Sequence, residues 1–278
     1  MFDEITKKRP LVLVGCGKMG GALLDGWLKA GLAAACALVV EPAGKEAVAG
    51  GLKGIKLFSS ADDLPPNLAP RIIVLAVKPQ IMGDILPLLS KWGGGDALIL
   101  SIAAGFRALG ISEVLGEGTP IIRAMPNTPA AVGKGISAAV RSASASSQDH
   151  ALVEELLDAV GEVVWVKSED DLDAVTGLSG SGPAYVFHLV EAMAAGGEAA
   201  GLDKDVACEL ARQTIIGAAA LLETSGEDAR TLRRNVTSPK GTTEAALEIL
   251  MAENGLGDLM RRTIRAATRR GRELSGGG

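Results

Sequence analysis

Leu11-Val12-Leu13-Val14-Gly15-Cys16-Gly17-Lys18-Met19-Gly20 is a four-residue apolar run followed at once by G-x-G-x-x-G, with helix-forming residues beyond it. A buried strand that turns sharply into a helix has this form, and the three glycines have separate tasks. Gly15 permits the tight turn, Gly17 lets the backbone approach a pyrophosphate, and Gly20 lets the helix pack closely on the strand. Lys18 and Met19 then open the helix, where backbone N–H groups without intrahelical partners meet an anion. The next strand ends at Glu41, 21 residues after Gly20, where an acidic side chain accepts hydrogen bonds from the adenosine ribose hydroxyls of NAD. Glu41 repels a 2′-phosphate, whereas Lys45 offsets that repulsion, so NAD and NADP both stay open.

Short β-branched runs alternate with helical stretches from this motif to about Val166, the pattern of βαβ units on a parallel sheet. Strands are expected at 11–14, 37–41, 55–57, 71–76, 97–102, 120–124, 135–140 and 162–166. Helices are expected most clearly at 18–30 and 79–91, also near 148–159, and more weakly at 44–50. Ligands of such sheets lie beyond the carboxyl ends of the strands. Ala76-Val77-Lys78-Pro79 and Ala103-Ala104-Gly105 end two strands beside the glycine turn, the latter in residues too small to block a ligand. Lys78 reads equally as a surface lysine or as a partner for phosphate or ribose. Asn127, in Met125-Pro126-Asn127-Thr128-Pro129, belongs either to a plain Pro-rich loop or to the same crevice.

Beyond Lys167 the composition turns to Ala- and Leu-rich helical stretches, expected at 169–177, 183–200, 204–224, 229–236, 243–253 and 257–273. The division is therefore a dinucleotide-binding domain over 1–166 and an all-helical domain over 167–278. Ala192, Ala194, Ala195, Gly196 and Gly197 mark a tight helix interface, since glycine in a helix interior otherwise costs about 1 kcal/mol relative to alanine. In Asn235–Ala246 small hydroxyls and backbone donors surround a helix start. Thr242 or Thr243 either caps that helix or helps hold a carboxylate there.

The whole chain has 278 residues, net charge −5, 36 Gly and few aromatic residues, which fits two globular domains and disfavours nucleic acid as a partner. Arg261, Arg262, Arg265, Arg269, Arg270 and Arg272 crowd the last helix as a solvated face or an oligomer contact. Without a long apolar run or a leader-like N-terminus, the expectation is a cytoplasmic protein that does not enter a membrane, with a frayed Gly276–Gly278 tail. Cys16, Cys36 and Cys208 lack metal-site spacing and are expected to be reduced core thiols, with no metal bound. His150 and His188, the only histidines, and Tyr185 are expected in structural roles. Glu191 and Glu198 are expected to be partly buried on the helix they share with His188.

Taken together, Gly15–Gly20, Ala76–Pro79, Ala103–Gly105, Arg123–Pro129, Thr176-Gly177-Leu178-Ser179-Gly180-Ser181-Gly182-Pro183-Ala184-Tyr185 and Asn235–Thr243 resemble the pyrroline-5-carboxylate reductase family almost end to end. The first pieces occur in many dehydrogenases, and the last two together are specific. The resemblance implies an N-terminal Rossmann domain, a helical domain that interlocks with a second subunit in a homodimer or larger homo-oligomer, and reduction of 1-pyrroline-5-carboxylate to L-proline by NADPH or NADH. It also implies that Ser238, Gly241, Thr242 and Thr243 hold the substrate carboxylate and that Thr176 lies near the ring nitrogen. Lys240 departs from the pattern, which usually has glycine there.

A protonated imine needs only a hydride at carbon, so no strong general base is required. Related β-hydroxyacid dehydrogenases carry a lysine on the helix that here spans Ser181–Ala200, and this chain has none, which disfavours a β-hydroxyacid substrate. A reductase of a related imine and a dinucleotide sensor without turnover are the other readings.

Overall fold

In a computed structural model of the chain, residues 2–44 and 54–275 are described; the expected helix at 44–50 beyond Gly44, Lys45 and the Gly276–Gly278 tail lie outside them. Contacts group the chain into two compact units, Met1–Ser181 with Ala267–Gly278, and Gly182–Ala266.

In the first unit eight strands form one sheet: β1 (Leu11–Val14), β2 (Ala37–Val40), β3 (Lys56–Phe58), β4 (Ile72–Leu75), β5 (Leu98–Ser101), β6 (Ile121–Met125), β7 (Gly135–Arg141) and β8 (Gly161–Trp165). Their order is β3-β2-β1-β4-β5-β6-β7-β8. Side chains of a strand alternate between faces, so each central strand feeds two cores. Leu11, Leu13, Val39, Ile72, Val74, Leu98 and Leu100 meet Leu23 and Trp27 of α1 (Lys18–Lys29) and Leu152 and Leu156 of α4 (Ser147–Asp158). Val12, Val14, Leu38, Val40, Ile73, Leu75 and Ile99 meet Met82 of α2 (Met82–Ile85) and Ile111 of α3 (Ala108–Leu115). Burial on both faces is why these strands read as continuous apolar runs.

Three features differ from expectation. The helix at 79–91 is a series of short turns, 3₁₀ at Pro79–Ile81 and Leu86–Trp92 around the single turn α2. Pro87 lacks an N–H and cannot continue an α-helical ladder. Helix α3 lacked a distinct sequence signal because Gly110 and Ser112 weaken its eight-residue pattern. The sheet is also not wholly parallel, since β6 pairs antiparallel with β7, Arg123 opposite Val140 and Met125 opposite Ala138. The nine residues between them hold only a 3₁₀ turn and a left-handed Gly133, too short for the dozen-residue crossover a parallel pair needs.

Polar side chains anchor the far end of the sheet. Buried Arg71 donates to Glu4 at 2.6 Å and to Asp149 at 2.8 Å. Burial works against ionising Asp149, but hydrogen bonds from Ser146 and Arg71 outweigh it and hold the carboxyl below its ordinary range. His150 stacks on Trp165 with ring centroids 3.7 Å apart, a packing role as expected. Helix α5 (Glu169–Val175) lies on β6 and β7, with Leu172 packed among Met125, Ala138 and Val140. That contact places residues 167–181 with the sheet in the compact unit.

The second unit holds α6 (Gly182–Ala199), α7 (Lys204–Thr224), α8 (Ala229–Asn235), α9 (Thr242–Leu250) and the first half of α10 (Leu256–Ser275). Helices α6 and α7 pair closely, because a Cβ on Gly197 would already lie 3.1 Å from Cβ of Ala207. The small-residue stripe thus serves partly within the chain: Gly197 faces α7 and Ala194 is buried, whereas Ala192, Ala195 and Gly196 stay exposed. Other expectations are corrected. Glu191 and Glu198 are exposed, as is His188, which sits 3.0 Å from Glu191. Cys16 and Cys36 are buried thiols, but Cys208 is exposed on α7. The α10 arginines are solvated, with Arg261 and Arg262 on Asp258, and Arg269 and Arg270 on Glu273.

Candidate functional site

The glycine turn follows from sterics. Gly15 has φ +90°, and a Cβ there would lie 2.7 Å from the Ala76 carbonyl oxygen. On Gly20 a Cβ would collide with the Gly15 carbonyl oxygen, so only glycine lets α1 start so close to β1. Gly17 is different: a Cβ there would meet nothing within 4 Å, and Gly17 caps α1 with no side chain. Open space above an uncapped helix N-terminus is the cradle a pyrophosphate requires, and the residues present fit a dinucleotide.

The neighbouring strand ends gather around that cradle. Ala76 N–H donates to the Val14 carbonyl at 2.8 Å, and Val77 lies against Gly15. Lys78 is exposed and Pro79 begins the next turn. Glu41, at the end of β2, accepts from Cys16 N–H at 2.8 Å through one oxygen and from Ala43 N–H at 3.1 Å through the other. Its carboxylate is therefore held at the rim of the turn. Burial, reinforced by Glu41, pushes the Cys16 thiol up to about 11, so this sulfur stays protonated. Ala103, Ala104 and Gly105 follow β5, with Gly105 at φ +75°. Asn127 follows β6 but is buried, its amide oxygen accepting from Ile136 N–H at 2.9 Å and its nitrogen donating to the Ser179 carbonyl at 3.2 Å. It fastens the turn after α5 to the sheet.

That turn is a π-helical Thr176–Gly180 continuing α5. Thr176 Oγ1 donates to the Leu172 carbonyl at 2.7 Å, and a Cβ on Gly180 would sit 3.7 Å from the Thr176 methyl and 3.9 Å from Met125. Thr176 thus belongs to the edge of the sheet unit at the end of β6. Sequence reasoning gave no role to two residues of this unit, Arg123, quoted only as the start of Arg123–Pro129, and Glu169. A charged residue inside Ile121-Ile122-Arg123-Ala124-Met125 was the available signal, because a buried guanidinium must be paired.

In the helical unit, Gly241 caps α9 without a side-chain hydrogen bond. Its N–H closes a turn onto the Ser238 carbonyl at 3.0 Å, which brings Ser238 beside Thr242 and Thr243. The first N–H groups of α9 stay available to an anion at the positive end of the helix dipole. Lys240 has φ +60°, a left-handed conformation in which glycine is unstrained. Its N–H donates to Glu244 at 2.7 Å, and that carboxylate occupies one side of the helix start. Among the described residues no group of His, Cys, Asp and Glu is arranged to hold a metal ion, and no helix is long and apolar enough to cross a membrane.

Residues 169–274 match the family described as pyrroline-5-carboxylate reductase dimerisation, and residues 10–105 match that described as NADP oxidoreductase coenzyme F420-dependent. The chain is 39% identical over 272 residues to pyrroline-5-carboxylate reductase of Pisum sativum, covering 95% of this chain and 96% of that one. With the Pseudomonas aeruginosa protein of the same name it shares 37% over 266 residues, again 95% and 96% of the two chains. Among solved structures, the Coxiella burnetii pyrroline-5-carboxylate reductase superposes with a TM-score of 0.85 at 31% identity, covering 96% of this chain and 99% of that one. The Plasmodium falciparum pyrroline carboxylate reductase with NADP bound gives 0.83 at 28%, covering 98% and 100%. On identity sustained across nearly the whole length, this chain belongs to the pyrroline-5-carboxylate reductase family.

Proposed function

We propose that this protein reduces 1-pyrroline-5-carboxylate to L-proline with NADPH or NADH, the dinucleotide lying on the sheet domain and the imine held through its carboxylate by the start of α9. The observation that carries this reading is that α1 and α9, two of the helices that start without a side-chain cap, differ in what surrounds their N-termini. One, at Gly17, is open and flanked by glycine; the other, at Gly241, is flanked by the hydroxyls of Ser238, Thr242 and Thr243. The first suits a pyrophosphate and the second a small carboxylate.

The reduced nicotinamide supplies the hydride. Gly15, Gly17, Lys18, Met19 and Gly20 receive the pyrophosphate and Glu41 the adenosine ribose. Ala76, Val77, Lys78, Pro79, Ala103, Ala104, Gly105 and Asn127 form the rest of the cofactor edge. Ser238, Gly241, Thr242 and Thr243 orient the carboxylate, and Thr176 lies near the ring nitrogen. None of these is a strong base, which agrees with an imine that arrives protonated and leaves as an amine. The division into 1–166 for the cofactor and 167–278 for substrate binding and dimerisation, a homodimer or larger homo-oligomer, and a cytoplasmic location complete the reading.

Purified protein mixed with the imine and either dinucleotide is expected to consume the reduced nicotinamide absorbance and to form proline. No loss of absorbance with either dinucleotide sinks the reading. Comparing initial rates with NADH and NADPH tests whether Glu41 sets the cofactor preference.

A further inference from the structure

Strand β6 is apolar on both sides except for Arg123, which is only 4% exposed. A buried guanidinium is weak evidence for stability, because apolar residues of similar volume often serve as well. This one also leaves its Nε without a hydrogen-bond partner. Its other two nitrogens reach different segments. Nη1 donates to Glu169 Oε1 at 2.8 Å, and Nη2 reaches the Ala103 carbonyl at 3.5 Å. The same Glu169 oxygen accepts from Ala108 N–H at 2.9 Å. The loop that follows β5 is therefore gripped at both ends, at Ala103 by the arginine and at Ala108 by the glutamate. Glu169 is also the first residue of α5, and that helix runs directly into Thr176, whose hydroxyl it holds. Seven residues of helix make a rod of about 10 Å.

We infer that Arg123 and Glu169 act as a positioning pair that fixes the cofactor loop Ala103–Gly105 against α5, and so sets the spacing between the bound dinucleotide and Thr176. This rests on the cofactor and substrate roles proposed above. Hydride transfer is sensitive to such spacing, since small displacements of positioned groups cost large factors in rate. Arg107 and Asp170 bridge the same two segments at 2.6 Å, but both side chains are exposed and such pairs contribute little. They supply the control.

The test titrates wild type, Glu169→Gln, Arg123→Lys and Asp170→Asn with NADPH and NADH by nicotinamide fluorescence, at a temperature where circular dichroism shows each folded. Glu169→Gln keeps an oxygen for Ala108 N–H but removes the charge, and is expected to raise the dinucleotide Kd by about tenfold, the scale of one charge-assisted hydrogen bond. Arg123→Lys keeps the charge but not the fork that spans two acceptors, and is expected to behave alike. Asp170→Asn is expected to match wild type. With the imine, kcat is expected to fall in the first two variants while the imine KM stays near that of wild type. A lowered melting temperature with unchanged Kd in Glu169→Gln marks a purely structural pair and overturns the inference. The titration needs no imine, so a wild type that binds dinucleotide but leaves the imine untouched ends the proposed function without deciding the clamp, which the Kd values then decide alone. Arg123→Lys that fails to fold leaves the decision to Glu169→Gln.

Discussion

The two units bury very different things. In the sheet unit Trp27 is fully buried, with Nε1 donating to the Leu156 carbonyl at 2.8 Å, amid Leu, Ile and Val side chains that are fully enclosed. Across 182–266 the only buried side chains are three alanines, Ala194, Ala207 and Ala211, while Phe187, Leu210, Ile216 and Ile249 are largely exposed. Burial of a large apolar side chain contributes about 1.5–3 kcal/mol, so the sheet unit has its driving force inside one chain and the helical unit does not. Surface of that kind and extent marks an interaction face. One fold thus contains a part with a core of its own and a part whose large apolar side chains stay exposed in the single chain, in keeping with a segment that matches a dimerisation family.

The sharpest way to break this contrast is a pair of truncations. Trp27→Ala is expected to destabilise the sheet unit by about 3–5 kcal/mol at any protein concentration. Phe187→Ala, at 64% exposure in the single chain, is expected to lower the melting temperature through the loss of subunit association, with a dependence on protein concentration that Trp27→Ala lacks. Thermal melts across a hundredfold dilution check both, and a concentration-independent effect of Phe187→Ala removes the interface from the argument.

Next in size, Thr243→Ala in the helical unit is expected to raise the imine KM by the worth of a hydrogen bond to a charged group, about 1.5–3 kcal/mol, and to leave the dinucleotide KM alone. Equal changes in both constants undo the division of labour between the units.

A third prediction concerns acid. The Asp149 carboxyl is held below its ordinary value, so the folded form binds its proton less readily than the unfolded chain does. The stabilisation is complete above the unfolded value near about 3.9 and is lost as the pH falls through the lower folded value, with a limiting slope of about 1.4 kcal/mol per pH unit for one proton. Urea unfolding followed below pH 5 is expected to show this slope, reduced in Asp149→Asn. An unaltered slope in the variant assigns the acid sensitivity elsewhere.

The smallest effect belongs to Lys240. A left-handed conformation costs a residue with a Cβ about 1–2 kcal/mol, part of which the greater unfolded freedom of glycine cancels. Lys240→Gly is therefore expected to stabilise the helical unit by somewhat under about 1 kcal/mol, since the backbone donation to Glu244 survives the change. A melting temperature below that of wild type argues that the lysine side chain contributes an attraction of its own.

How much was legible beforehand follows the same contrast. The glycine turn, the strand ends and the long helices were readable because their signals are local: alternating burial, fixed spacing and helix periodicity. The return of β7 against β6 was not, because strand direction depends on the length of the connection between them and on what the last helices must cover. Asn127 was expected either in a plain loop or at the crevice, and the sequence did not foretell that Ile136 and Ser179 engage its amide. The pairing of Arg123 with Glu169 escaped notice because the two are 46 residues apart in the chain. The exposed face of Cys208 escaped for another reason: an Ala-rich helix looks like core material whether its cover comes from its own chain or another.

Cys16 occupies the variable second position of the glycine turn, and its sulfur has a consequence for life under electrophile stress. With a titration point near about 11, only about one molecule in ten thousand carries the reactive thiolate at neutral pH. Alkylating agents and peroxides attack that form, so this thiol, which is also fully buried, reacts slowly with them.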